Sequence, residues 1–156
     1  MKARTIVLFA VVAGLSAAAG VSYHLWSRGS GAGPAMAPDA VVERVLSARV
    51  TDLKGGTQSL EQWRGRVLVI NYWATWCAPC REEIPGFVRL QERYGSRGLQ
   101  FVGIAIDQPD KVAEFAREFR INYPLVLGGV ETIELLRQAG NRAGVLPYTL
   151  VIDRLT

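Results

Sequence analysis

Apolar and polar positions divide the chain into three regions. From Thr5 to Trp26 no charged side chain interrupts a run rich in Ala, Val, Leu and Gly. Ser27 to Pro38 (SRGSGAGPAMAP) is small, Gly/Pro-rich and nearly uncharged, which reads as a flexible tether. The rest carries short apolar patterns split by turn residues, and the folded part is expected to begin near Ala40. Val45–Thr51 reads as a short strand, and Gly55-Gly56 within Asp52–Thr57 as a hairpin-type turn. Leu60, Gln62 and Trp63 suggest a short helical turn closed by Gly65. The unbroken, β-branched run Val67–Tyr72 suits a strand buried on both faces. Ile84, Phe87, Val88, Gln91 and Tyr94 then fall at helical spacing, ended by Gly95 and Gly98. Leu99–Ile106 is a second buried strand. Pro109 and Asp110 open a helix with the apolar face Val112, Phe115, Ala116 and Phe119. Pro124–Leu127 reads as a short extended piece, Glu131–Ala139 as a helix and Thr149–Ile152 as a strand.

Strand, crossover helix and strand in succession imply a parallel pair with a right-handed connection. The strand at Thr149 can join the same sheet. The expectation is an α/β sandwich with its chemistry at the carboxyl end of the first central strand, where open α/β sheets place their sites. No internal repeat is present.

Composition narrows the picture. A chain of 156 residues that is 49% hydrophobic builds a core without disulfide staples. The net charge of +4 is spread and interleaved with acids, so a nucleic-acid groove is set aside. There are two cysteines and one histidine. His24 lies in the N-terminal run, so a four-ligand zinc site within the domain fails.

The N-terminus reads as an address. Its 22 uncharged residues could span roughly 30 Å of hydrocarbon as a helix. Lys2 and Arg4 would stay in the cytoplasm and send the domain outward. Tyr23 and Trp26 stand where an interfacial aromatic belt forms. The competing reading is a signal peptide cleaved near Ala17-Ala18-Ala19. Both export the domain, anchored in the inner membrane in one case and soluble in the periplasm in the other. The expected organisation is an anchor or signal over 1–26, a linker over 27–39 and one domain over 40–156.

The chemistry concentrates in Asn71-Tyr72-Trp73-Ala74-Thr75-Trp76-Cys77-Ala78-Pro79-Cys80-Arg81-Glu82-Glu83. A strand ends, a loop follows and a helix begins at or near Cys77. Free N–H groups and the helix dipole there favour a thiolate. Cys77, the more exposed, is expected to attack, and Cys80, a turn further in, to resolve the mixed disulfide. Their spacing puts both sulfurs on one side of the first turn, so a small ring can close and reopen. Pro79 stiffens that turn. Arg81 adds a little screened positive potential. The alternative is a fixed disulfide clipping a helix start. So small a ring stabilises little, and Trp73 and Trp76 would be unexplained.

Residues 69–85 (VINYWATWCAPCREEIP) resemble the thioredoxin superfamily, and within it the membrane-anchored TlpA/ResA branch of thiol–disulfide oxidoreductases. Residues 144–153 (GVLPYTLVID) resemble that family's second signature, in which a cis-proline faces the cysteine pair. The resemblance covers about 40–153. It implies a thioredoxin-like fold, a central mixed sheet flanked by helices, here with an N-terminal hairpin extension. It implies that Cys77 and Cys80 are the redox pair and that the chain needs no other cofactor and no metal. Pro147 matches the cis-proline. Leu146 would offer backbone groups to a substrate chain, with Trp76 and Pro79 beside it. Glu83 falls where the branch carries a glutamate that tunes cysteine acidity or relays a proton. Its alternative is a solvated helix surface, the reading given to Glu82. Asn71 stands where thioredoxins proper carry a buried aspartate, or simply ends a strand. The family continues past the strand at Asp153 with a further strand and a helix, whereas this chain stops at Thr156. The expectation is a sheet with an unpaired edge and reduced stability.

The function implied is an exported disulfide reductase. Its partners would be oxidised exported proteins, such as apocytochrome c or thiol chaperones, and a membrane dithiol donor. Reversed direction, as an oxidase or isomerase, depends on reduction potential. A thiol or copper chaperone could use the same two thiolates. A peroxidase pattern would place threonine three residues before the cysteine, where Ala74 stands.

Overall fold

The structure is a computed structural model that describes residues 38–154. The expected anchor or signal over 1–26 lies outside the described residues. Among those described, no helix is long and apolar enough to cross a membrane.

The elements run α1 (Pro38–Ser47), β1 (Arg49–Asp52), β2 (Thr57–Ser59), a 3₁₀ turn (Leu60–Trp63), β3 (Val67–Trp73), α2 (Ala78–Tyr94), a 3₁₀ turn (Gly95–Arg97), β4 (Leu99–Ala105), α3 (Pro109–Glu118), β5 (Leu125–Leu127), α4 (Val130–Gln138) and β6 (Tyr148–Ile152). They form one six-stranded mixed sheet in the order β2-β1-β5-β4-β3-β6. β3 and β4 are parallel in register Val67↔Leu99 to Trp73↔Ala105, and β4 and β5 are parallel. β6 runs antiparallel to β3, pairing Asn71 with Thr149 and Tyr72 with Tyr148. β1 is antiparallel to both β2 and β5.

One expectation is corrected. Val45–Thr51 is not a strand. Val45 and Leu46 belong to α1 and are buried, with Val41 and Val42 packed on the same core. Positions 41, 42, 45 and 46 form a helical stripe, and only Arg49–Asp52 is extended. The helix also begins inside the expected linker, at Pro38. Proline suits a first helical turn, where its missing N–H costs nothing. The hairpin between β1 and β2 turns at Gly55, whose φ of 87° is open to glycine. Asp52 closes it by accepting the N–H groups of Lys54 and Gly56, both at 2.8 Å.

Alternation along β3 sorts the core. Leu68, Ile70 and Tyr72 face a cluster with Val45 and Leu46 of α1 and Leu136 of α4. Val69 and Trp73 point to the opposite face. There Val69 meets Phe101 and Tyr123, and Trp73 packs with Ile84 of α2 and Phe115 of α3. Asn71, between Val69 and Trp73, therefore faces α2. This places a buried amide under the helix that carries Cys80. β6 takes one end of the sheet order and leaves Val151 62% exposed.

Candidate active site

β3 ends at Trp73, and Ala74–Thr75–Trp76 carry the chain to the start of α2. Asp107, after β4, fastens this loop by accepting both the backbone N–H of Thr75 (3.2 Å) and its hydroxyl. Burial pushes the Asp107 carboxyl up. The Thr75 hydroxyl, the N–H groups of Gln108 and Thr75, and the Lys111 charge outweigh this and hold it below the usual range. Cys77 is the N-cap of α2, and its sulfur accepts the N–H of Cys80 at 3.4 Å. The helix dipole and the free N–H groups thus converge on that sulfur, as an anion requires.

Cys77 and Cys80 form a disulfide across a Cα separation of 5.3 Å. Cys77 is 6% exposed and Cys80 is fully buried. Only the first sulfur is reachable from solvent. Beside it Trp76 is 69% exposed, and Pro79 is exposed in the first helical turn. Across the sheet, β6 is preceded by a cis Leu146–Pro147 bond. Leu146 packs against the cluster that holds both cysteines. The structure therefore brings Cys77, Cys80 and Leu146 together, with Pro147 next in the chain.

Glu83 lies one turn beyond Cys80 and is half-buried. Its Oε1 accepts the Nδ2 amide of Asn71 at 2.7 Å, and the same amide donates to Thr149 Oγ1 at 3.1 Å. Asn71 does not end β3, which continues to Trp73. It holds Glu83 from below and ties it to β6. Burial raises the Glu83 carboxyl above the usual range, and the Asn71 hydrogen bond acts against that. The folded chain therefore keeps this proton more tightly than the unfolded chain. The stability gained below the unfolded pKa is lost as pH rises through the folded one. Glu83→Gln preserves an oxygen for Asn71 and removes the titration. It is expected to raise the melting temperature at pH 7 by about 1–3 °C and leave it unchanged at pH 4. Thermal scans at both pH values check this, and a lower midpoint at pH 7 counts against it.

Arg81 is not a free cation: its Nη1 donates to the Thr75 carbonyl at 3.5 Å. Its guanidinium lies 5.1 Å from the ring centroids of both Phe115 and Phe119 and 3.9 Å from Glu118. The two rings stack at 4.0 Å. Among the described residues no group of three His, Cys, Asp or Glu side chains could hold a metal ion. A cleft of about 460 Å³ lies instead between α1 and α4, bordered by Arg49, Val130 and Leu135. None of its lining residues comes from the cysteine-bearing turn.

Asp107 and Asn141 escaped the reading of the sequence. Asp107 is signalled only by an acidic residue closing a buried strand. Asn141 is signalled by the turn-rich run Gly140-Asn141-Arg142-Ala143-Gly144.

The mixed sheet, with a disulfide at the cap of its central helix and a cis Leu146–Pro147 bond whose Leu146 packs on the cysteine cluster, is a thioredoxin-like redox domain. The profile of the AhpC/TSA family matches residues 36–155, and the chain belongs to that family. Over 106 residues it is 33% identical to the thiol-disulfide oxidoreductase ResA of Geobacillus kaustophilus, a match covering 67% of this chain. The chain spans 59% of that relative's length. It is 28% identical over 152 residues to ResA of Geobacillus thermodenitrificans, covering 97% of this chain and 80% of the relative. Among solved structures, a thiol:disulfide interchange protein of the thioredoxin family from Chlorobium tepidum TLS superposes with a TM-score of 0.63. That match has 33% identity and covers 70% of this chain and 77% of the other.

Proposed function

We propose that this chain is a thiol–disulfide oxidoreductase that reduces disulfides in exported proteins, outside the cytoplasm. The observation that carries the reading is the Cys77–Cys80 disulfide at the α2 N-terminus, with one reachable sulfur and one buried. In the dithiol form, the Cys77 thiolate attacks a substrate disulfide sulfur. A Cys77–substrate bond forms, the substrate S–S bond breaks and the released thiolate takes a proton from water. Cys80 then loses its proton and attacks the Cys77 sulfur. The second substrate thiolate leaves. Two electrons have passed to the substrate and the enzyme is a disulfide again.

Glu83 is the candidate acceptor for the Cys80 proton. It follows Cys80 by one turn, and its raised affinity for protons suits that exchange. Trp76, Pro79, Leu146 and Pro147 supply the surface that meets the substrate chain. Leu146 offers backbone groups, and the exposed Trp76 offers an aromatic face. The open geometry suits a polypeptide better than an enclosed small molecule.

Export is supported by Lys2 and Arg4 ahead of the uncharged run Thr5–Trp26, as an inner-membrane anchor or a cleaved signal. A reductant working in an oxidising compartment needs a supply of electrons, so a membrane dithiol donor is the second partner. Resemblance to the TlpA/ResA branch favours cytochrome c maturation, with apocytochrome c or its thiol chaperones as substrates.

A Cys80→Ser variant, which cannot release its captive, tests the reading in cells. Reductant-sensitive complexes between Cys77 and exported proteins are expected. Capture of no protein partner would sink the proposal. A reduction potential near about −120 mV would reverse the direction assigned.

A further inference from the structure

The loop before the cis-proline contains a buried side chain with no part in the chemistry above. Arg142 to Val145 are exposed, yet Asn141 is 6% exposed. Its backbone N–H donates to Leu136 C=O at 3.1 Å, which roots it on the end of α4. Its side chain then pairs with one distant backbone unit. Nδ2 donates to the Val145 carbonyl at 2.6 Å, and Oδ1 accepts the Val145 N–H at 3.2 Å. This is the pairing that a neighbouring strand would make. Gly144 N–H donates to the Asn141 carbonyl at 3.0 Å and closes the inner turn. On the far side of the proline, the Tyr148 hydroxyl donates to Ala139 C=O at 2.6 Å. The loop is pinned at both ends.

Leu146 lies between these pins. Its backbone makes no hydrogen bond to any other described residue. Its side chain packs on the cluster containing Cys77 and Cys80. Pro147 has no N–H to offer. An extended polypeptide approaching the disulfide therefore finds one vacant backbone unit, bounded by one already taken and one without a donor.

We propose that Asn141 is a positioning residue for substrate binding: by bonding both backbone groups of Val145, it holds the adjoining Leu146 unit in place to pair with an extended polypeptide beside Cys77. This rests on the disulfide exchange proposed above. Strand addition draws its affinity from main-chain bonds, so it needs the Leu146 groups held at a fixed place, and freeing Val145 from Asn141 lets that unit drift. The class of substrate selected is a disulfide whose cysteine lies in extended chain. A disulfide without a peptide backbone gains nothing from the device.

The test compares wild type, Asn141→Ala and Asn141→Asp on two disulfides. One is a peptide with a disulfide in extended sequence, and the other is 2-hydroxyethyl disulfide. For Asn141→Ala the peptide KM is expected to rise about tenfold, the worth of one to two hydrogen bonds, with kcat unchanged. The rate with the small disulfide stays within about twofold of wild type. Asn141→Asp keeps the acceptor for Val145 N–H but sets an oxygen against its carbonyl in place of the donor, so a rise of at least about threefold is expected. If Asn141→Ala does not fold, the aspartate variant alone decides. An unchanged peptide KM, or parallel losses on both disulfides, overturns the role of Asn141 while leaving the exchange activity standing. Wild-type protein that exchanges with neither disulfide overturns the activity and this inference together.

Discussion

Replacing Cys77 by alanine is expected to abolish disulfide reduction, with a loss of at least about a thousandfold in turnover. Every step begins or ends on this sulfur, because Cys80 is fully buried and no substrate disulfide can reach it. The variant should also lose all trapping of partners. Cys80→Ala separates the two steps. Its turnover falls comparably, but one equivalent of substrate is still captured on Cys77. Steady-state reduction of a protein disulfide and mass spectrometry of the quenched mixture measure both. Residual turnover in Cys77→Ala above a tenth of wild type would mean that the reactive sulfur has been misassigned.

The second large effect lies in the sheet. Gly103 sits in β4 between Asn71 of β3 and Leu125 of β5. A Cβ there would stand 2.6 Å from Leu125 Cδ2 and 2.9 Å from Trp73 Nε1. Real carbon contacts do not come so close, so Trp73 would have to move. Trp73 is fully buried in the same cluster as both cysteines and packs on Phe115 at 4.9 Å. Gly103→Val adds three carbons to this filled space. It is expected to destabilise the domain by about 3 kcal/mol and lower the melting temperature by about 10 °C. Thermal unfolding checks this, and a drop under about 2 °C would show that the layer beneath the disulfide yields easily.

The central elements were legible in the sequence because their patterns are long or emphatic. Val67–Tyr72 and Leu99–Ile106 are long, mostly apolar runs, and β3 and β4 differ from them by one residue each. The stripe Ile84–Tyr94 and the Pro109 start fixed α2 and α3. The first helix was not legible. Its stripe is four residues, it begins in a Pro- and Ala-rich segment, and its last turn abuts a strand. Nor was the strand order: β1 and β5 have four and three residues and share two paired positions. Pairing that brief leaves no signature in either segment.

The site was legible in part for the same reason. Cys77, Cys80 and Glu83 follow one another at three-residue steps along one side of the start of α2, where spacing alone relates them. Asn71 was noticed for its type, yet its bond to Glu83 joins a strand to a helix 12 residues later and exists only once α2 lies across the sheet. Asp107 and Asn141 act by bonding loop backbone, at separations of 32 and four residues. Such bonds follow no periodicity, so no window along the sequence exposes them.

Arg81 has a mechanical consequence. Its stack on Phe115 and Phe119, together with Glu118, joins the amino end of α2 to the end of α3 without using either sulfur. The disulfide closes within the first turn of α2 and reaches no second helix, so opening it leaves this anchor in place. The reduced form is therefore expected to keep nearly the same backbone at this turn, so that each cycle starts from a turn already set.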